Sequence, residues 1–144
     1  MRDLPRQLNA EQLAELFEGH TRFVERLAER EDPLAAAPEV IAELDEAEKV
    51  EALNAHPAVG ASNLSPRSAA EQGAADRVVA TELAYLNQVY EEKFGFRFVV
   101  FVNRRPKAEI LEVLRARLER SREEELDTAL SELVAIARDR WERG

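Results

Sequence analysis

Residues 121–141 have the sequence SREEELDTALSELVAIARDRW, in which apolar side chains recur every three or four positions. This spacing places them on one face of a long α-helix, and the predicted stripe comprises Leu126, Leu130, Leu133, Ala137 and Trp141. Ser121 and Glu124 have the spacing of a capping box, so the helix is expected to begin directly after Ser121. The three consecutive glutamates at 123–125 are expected to lie on a solvated face.

A stretch of different character lies upstream of this helix. Residues 96–102 read FRFVVFV, and their β-branched and aromatic content favours extended backbone. No second strand signal exists to pair with them, so we expect one buried extended segment near residues 96–103 and no sheet. Arg97 interrupts this apolar run and is expected to point to solvent. After the segment, Pro106 is expected to start a helix that faces inward through Ile110, Leu111, Leu114 and Leu118.

The first 95 residues predict further helices. The first is expected from Asn9 to Gly19, with a capping box at Asn9 and Gln12, and a short one follows around Phe23–Leu27. Another is opened by Pro38, and its pattern continues from Ala47, either in the same helix or in a separate one, to an end at or before His56. Two more are expected, one opened by Ser65-Pro66 and a longer one through Leu83 and Tyr90 that ends at Gly95. Residues 60–65 are expected to form a loop. Tyr90, like Trp141, is expected in the core.

Composition supports an all-α fold, because Ala, Leu, Glu and Arg dominate and only five glycines occur. At 144 residues the chain is expected to form a single compact multi-helix domain over residues 1–144. The net charge of −9 argues against a nucleic-acid partner. Without cysteine, the chain can form neither disulfides nor Cys-ligated zinc sites. No apolar run reaches the length of a membrane span, and no signal peptide is evident, so we expect a soluble cytoplasmic protein with no membrane partner.

Few side chains suggest chemistry. The two histidines, His20 and His56, lie far apart without a ligand pattern around them, so no metal site is expected. His56 precedes a proline where a helix is expected to end. Such a histidine commonly caps the last helical carbonyls, and the alternative is a functional imidazole.

Two other features allow a structural and a functional interpretation. Ser68 and Glu71 have capping-box spacing, but a helix that begins at Ser65-Pro66 would leave the hydroxyl and the carboxylate free to meet a ligand. Arg140 borders the apolar stripe of the last helix. There it is either an arginine whose head reaches solvent or a buried guanidinium that binds an anion.

The order of these features along the chain resembles the OHCU decarboxylase family, named for 2-oxo-4-hydroxy-4-carboxy-5-ureidoimidazoline, an intermediate of urate breakdown. The resemblance covers residues 47–141. It rests on three blocks: His56-Pro57, Ser68-x-x-Glu71-Gln72, and Leu86-Asn87-x-x-Tyr90-x-x-Lys93-Phe94-Gly95-Phe96-x-Phe98-Val99. The tail, with Glu132-Leu133 and Ile136-Ala137-Arg138-x-Arg140, is similar as well. Arg97 stands where the family usually has proline, and the family's Ser-Pro-Trp block is only faintly echoed by residues 21–24.

The resemblance implies an all-α fold and a cofactor-free decarboxylation that yields (S)-allantoin. It further implies a small-molecule substrate and suggests a homodimer. His56 matches the family's catalytic proton donor, and Glu71 is placed beside it. The implied substrate-binding residues are Pro57, Ser68, Gln72, Phe98, Val99, Val100, Phe101, Val102 and Arg140.

Two alternatives stay open. One is a non-catalytic helical binding module of the same fold, and the other is a decarboxylase of a related ureido or imidazoline acid, which Arg97 could favour. Turnover of freshly prepared substrate to a single enantiomer of allantoin would distinguish the enzyme from the non-catalytic module. Comparison of turnover across related acids would distinguish the two decarboxylase activities.

Overall fold

The computed structural model of the protein describes residues 8–56 and 74–143. These residues form seven helices and contain no β-strand, which confirms the all-α prediction. The helices are α1 (Ala10–Phe17), α2 (Arg22–Ala28), α3 (Pro33–Glu43), α4 (Glu46–Asn54), α5 (Ala74–Phe94), α6 (Lys107–Leu118) and α7 (Arg122–Arg143). The predicted loop at 60–65 and the predicted helix start at Ser65-Pro66 lie outside the described residues.

Helix starts follow the capping signals of the sequence. Asn9 and Gln12 exchange side-chain to backbone hydrogen bonds of 2.8 and 3.0 Å at the start of α1. Ser121 and Glu124 do the same at the start of α7, at 3.0 and 3.1 Å. Each box satisfies backbone N–H groups that have no partner inside the helix. Both predicted capping boxes are therefore confirmed.

The prediction that Pro38 opens a helix is wrong. Helix α3 begins five residues earlier at Pro33, with Asp32 as its N-cap, and Pro38 lies inside it. A proline inside a helix removes the N–H that would bond the carbonyl four residues back, here that of Leu34. Arg138 of α7 donates a hydrogen bond of 3.0 Å to that carbonyl. A contact with a distant helix thus offsets the cost of the proline, which local sequence rules cannot anticipate.

Helix α1 ends one residue earlier than predicted, and Gly19 has a different role from the predicted helix stop. Glu18, and not Gly19, is the C-cap, and it adopts the left-handed conformation with φ of 63°. Gly19 is needed for a close approach instead, since a Cβ atom added to it would lie 2.8 Å from the Cβ of Ala55. The turn after α1 therefore packs directly against the end of α4.

The long helix α7 organises the N-terminal half, because it packs against α1, α3 and α4, while α5 packs on α6. Its predicted inward stripe is buried from Leu126 to Ala137, with Trp141 partly buried at its end. The segment after α5 is extended, and four of its side chains, Phe96, Phe98, Val99 and Val100, are buried. The prediction of a buried extended segment is confirmed for the residues up to Val100.

A buried network of charged and polar side chains contacts this extended segment. Glu125 is fully buried and accepts hydrogen bonds from Arg117 at 2.7 Å, Arg120 at 2.9 Å and the Tyr90 hydroxyl at 2.6 Å. Burial, followed by the hydrogen bond to Glu125, raises the pKa of Tyr90, so the hydroxyl stays a donor. Arg117 also donates to the Val99 carbonyl at 2.7 Å. The prediction that Glu125 is solvated is therefore wrong, because three donors from α5, α6 and the turn after α6 compensate its burial.

No helix in the described parts of the chain is long and apolar enough to cross a membrane.

Candidate active site

His56 lies just beyond the C-terminus of α4 and is 8% exposed. Its backbone N–H, and not its ring, donates to a helical carbonyl, that of Leu53, at 3.1 Å. The ring Nδ1 is buried without a hydrogen bond to the described residues and lies 3.8 Å from Oε2 of Glu18. This nitrogen of the imidazole therefore does not cap the helix.

Arg140 approaches the same carboxylate from the last turns of α7. Its guanidinium donates to the Leu16 carbonyl at 2.9 Å and lies 3.0 Å from Oε1 of Glu18. The side chain is about one-third exposed, so neither alternative from the sequence describes it fully. It is a half-buried cation held at the C-terminal end of α1, where a helix dipole favours positive charge.

Glu18 connects the two residues and was not identified from the sequence. Its two carboxylate oxygens face His56 and Arg140 separately. Nothing in the local sequence distinguishes it from the other glutamates of the N-terminal helices. The residue after it, Gly19, packs closely on Ala55, so two distant parts of the chain meet beside Glu18.

Arg97 faces the protein and not solvent, which corrects the prediction. Its backbone N–H donates to the side chain of Asn54 at 2.9 Å, and its guanidinium donates to the His56 carbonyl at 2.7 Å. Glu91 lies 3.8 Å from its Nε. These bonds fasten the start of the extended segment to the end of α4, beside His56.

Side chains also hold the backbone further along the segment. Phe101 donates its N–H to Glu132 at 3.2 Å, and its carbonyl accepts from Arg105 at 2.6 Å. Arg105 further donates to the Val102 carbonyl at 3.1 Å, and the Val99 carbonyl is bound to Arg117. The backbone groups of Phe98 and Val100 are not among those engaged in this way.

Four predicted site residues, Pro57, Ser68, Glu71 and Gln72, lie outside the described residues, so their placement stays a prediction. Across the described ranges 8–56 and 74–143, no group of three or more histidine or acidic side chains could hold a metal ion.

Burial of the imidazole lowers the pKa of His56 below its usual value. The Glu18 carboxylate opposes this by raising the pKa, and the cations Arg140 and Arg97 lower it further. The unliganded protein therefore favours a neutral imidazole. An anionic ligand would move the balance toward the imidazolium, since an opposite charge nearby stabilises the charged form.

The stability of the protein should depend on pH through His56. Because its pKa is lower in the folded state, the unfolded chain binds more protons below about pH 6.5. We expect the free energy of unfolding, relative to a His56→Asn variant, to fall as the pH drops below about 6.5 and to level off below the folded-state pKa. The loss is about 1.4 kcal/mol for each pH unit between the two pKa values. Urea unfolding of both proteins between pH 8 and 5 measures this loss. The assignment would be contradicted if the stability of the wild type relative to the variant rose on acidification.

The protein is thus a helical protein whose candidate active site holds a buried imidazole beside a carboxylate and a guanidinium. The chain belongs to the OHCU decarboxylase family, whose family model matches residues 2–142.

Curated relatives agree with this assignment. A uric acid degradation bifunctional protein of Bacillus subtilis is 33% identical over 70% of this chain and 22% of its own length. A 2-oxo-4-hydroxy-4-carboxy-5-ureidoimidazoline decarboxylase of Halalkalicoccus jeotgali is 31% identical over 74% of this chain and 64% of its own length. A Haloferax volcanii protein of the same name is 29% identical over 85% and 80%. The chain thus spans about a fifth of the first relative and less than two-thirds of the second.

Solved structures share the fold. A crystal structure of OHCU decarboxylase in the presence of (S)-allantoin superposes with a TM-score of 0.71 at 25% identity, and the match covers 90% of this chain and 94% of that one. An (S)-allantoin synthase superposes with a TM-score of 0.67 at 23% identity, over 91% and 47% of the two chains.

Proposed function

We propose that this protein decarboxylates 2-oxo-4-hydroxy-4-carboxy-5-ureidoimidazoline to (S)-allantoin in urate degradation, without a cofactor. The observation that carries the proposal is the meeting of His56 and Arg140 at one carboxylate, from two helices far apart in sequence. Family membership and the names of the relatives support the same substrate.

The substrate supplies its own electron sink, so the chemistry needs no organic cofactor. When the bond between the ring carbon and the carboxylate breaks, CO₂ leaves and the electron pair moves into the adjacent C=N bond, whose nitrogen takes a proton. The resulting enol then takes a proton on the ureido-bearing carbon, while its O–H proton is lost to leave the carbonyl. One proton is consumed for each CO₂ released. The protein must orient the ring, balance charge and direct the carbon protonation to one face.

In this proposal His56 delivers the proton to carbon. A buried donor beside the bound ring can reach only one of its faces, which accounts for a single enantiomer. Arg140 pairs its planar guanidinium with a carbonyl or carboxylate oxygen of the substrate. Glu71 acts next to His56, and the remaining binding positions are Pro57, Ser68, Gln72 and the backbone of Phe98–Val102. These roles rest on the resemblance stated from the sequence.

The direct test is to mix the protein with freshly prepared substrate and to follow CO₂ release and the circular dichroism of the product. We expect fast formation of (S)-allantoin, compared with slow, racemic formation without protein. Binding without turnover would support the non-catalytic module instead. Faster turnover of a related ureido or imidazoline acid would assign the substrate to that acid.

We also propose a homodimer, which the family resemblance supports, and a cytoplasmic location. Analytical ultracentrifugation and fractionation of the source cells test these two proposals.

A further inference from the structure

Glu18 holds a position that its backbone does not favour. Its φ of 63° lies in the left-handed region, which side-chain-bearing residues other than Asn and Asp seldom adopt. Gly19, the next residue, packs closely on Ala55, and the Glu18 carboxylate lies between His56 and Arg140. Backbone strain of this kind concentrates at functional sites, where the surrounding structure maintains it.

We propose that Glu18 is a positioning residue for the reaction, which orients His56 through its Nδ1 side and holds Arg140 toward the same site. This inference rests on the proposed function. A proton on Nδ1 is favoured where that nitrogen faces a carboxylate, and the opposite ring nitrogen, Nε2, is then available for proton transfer. The distance of 3.8 Å is longer than a hydrogen bond, as is common for catalytic contacts in unliganded proteins.

The charges around His56 make Glu18 the described group that counters its burial. Arg140 and Arg97 both disfavour the imidazolium, and Glu91 lies 3.8 Å from Nε of Arg97. Glu18 favours the imidazolium. Among the described residues, removal of the Glu18 charge leaves the ring with two cations and a buried environment, and Glu71 of the proposed function is the other carboxylate expected beside it. We therefore expect the His56 imidazolium of such a variant to lose its proton at a lower pH.

A purely structural role is the competing explanation, since the Glu18–Arg140 ion pair also ties the end of α1 to α7. The two roles differ in what they change. A structural role lowers stability and reduces activity equally at every pH. A positioning role changes the pKa and the tautomer of His56 and moves the pH profile.

The experiment compares wild type with Glu18→Gln, which keeps the shape and loses the charge, and with Glu18→Asp, which keeps the charge and suits a left-handed backbone. Glu15→Gln, an exposed position on α1, is the control for loss of one negative charge. We expect Glu18→Gln to lower kcat about 10- to 100-fold near neutral pH, by analogy with the loss of groups that orient metal-bound histidines. The alkaline limb of its kcat profile should move to lower pH, and Glu18→Asp should recover part of both losses.

NMR titration of the His56 ring provides a readout that does not depend on turnover. We expect a lower pKa of His56 and a loss of the Nδ1–H tautomer in Glu18→Gln, with both unchanged in Glu15→Gln. An unchanged pKa and tautomer would overturn the positioning role, as would an activity loss that is equal at every pH. Failure of the proposed function is distinguishable, because the wild-type protein itself would then be inactive whatever the titration shows.

Discussion

Replacement of His56 by asparagine is expected to lower turnover about 10²- to 10⁴-fold, the range for loss of a general acid, and to make the allantoin product nearly racemic. Asparagine is polar and similar in reach, but it cannot deliver a proton near neutral pH. Any intermediate released from the variant would take its proton from water on either face. Stopped-flow CO₂ release measures the first effect, and the circular dichroism of the product measures the second.

The control for this prediction is His20→Asn, because His20 is the second histidine of the chain and lies exposed in the turn between α1 and α2. It should keep wild-type rate and stereospecificity. Because His56 is buried, turnover of the His56 variant must be compared at equal folded fraction. A folded His56→Asn protein that stays fast and stereospecific would show that the proton donor lies elsewhere.

Replacement of Glu125 by leucine is expected to lower the free energy of unfolding by about 3–5 kcal/mol. The change leaves Arg117, whose side chain is 7% exposed, as a buried cation without its carboxylate, and it removes the acceptor of the Tyr90 hydroxyl. A buried charge without a partner is far costlier than the pair is beneficial. Urea unfolding at neutral pH measures the loss.

Glu123→Leu is the matched control, since Glu123 is an exposed neighbour in the same first turn of α7. Its effect should stay within about 0.5 kcal/mol, as is usual for surface positions. The double change Arg117→Met with Glu125→Leu should recover much of the stability, because it removes the two buried charges together and the remaining partner, Arg120, is partly exposed. A Glu125→Leu protein as stable as Glu123→Leu would mean that the network contributes nothing to folding.

Predictions that depended on neighbouring residues succeeded. The capping boxes at Asn9 and Ser121 formed as expected, because each is a pair of hydrogen bonds within four residues of the chain. The non-helical segment at 96–102 lies where its β-branched and aromatic residues predicted it, directly after Gly95, whose φ is 82° at the end of α5. The absence of a second β-rich stretch was enough to expect no sheet.

Predictions that needed a neighbour from elsewhere in the chain failed. Pro38 is tolerated inside α3 because Arg138 binds the carbonyl that the proline leaves without a donor. Arg97 turns inward because the His56 carbonyl and the Asn54 side chain lie next to it. In each case a polar group of another helix decides the outcome, and no spacing within the local sequence records it.

The candidate site shows the same difference between local and long-range effects. Helical periodicity and capping, which act over three to five residues, were enough to establish an all-α chain and the place of His56 at a helix end. The family resemblance pointed to His56 and Arg140 as partners in one site. Only the folded chain decided that Glu125 is buried and that Glu18 is the carboxylate between those partners. Glutamates look alike in a sequence, and their burial and charge interactions depend on which helices pack around them.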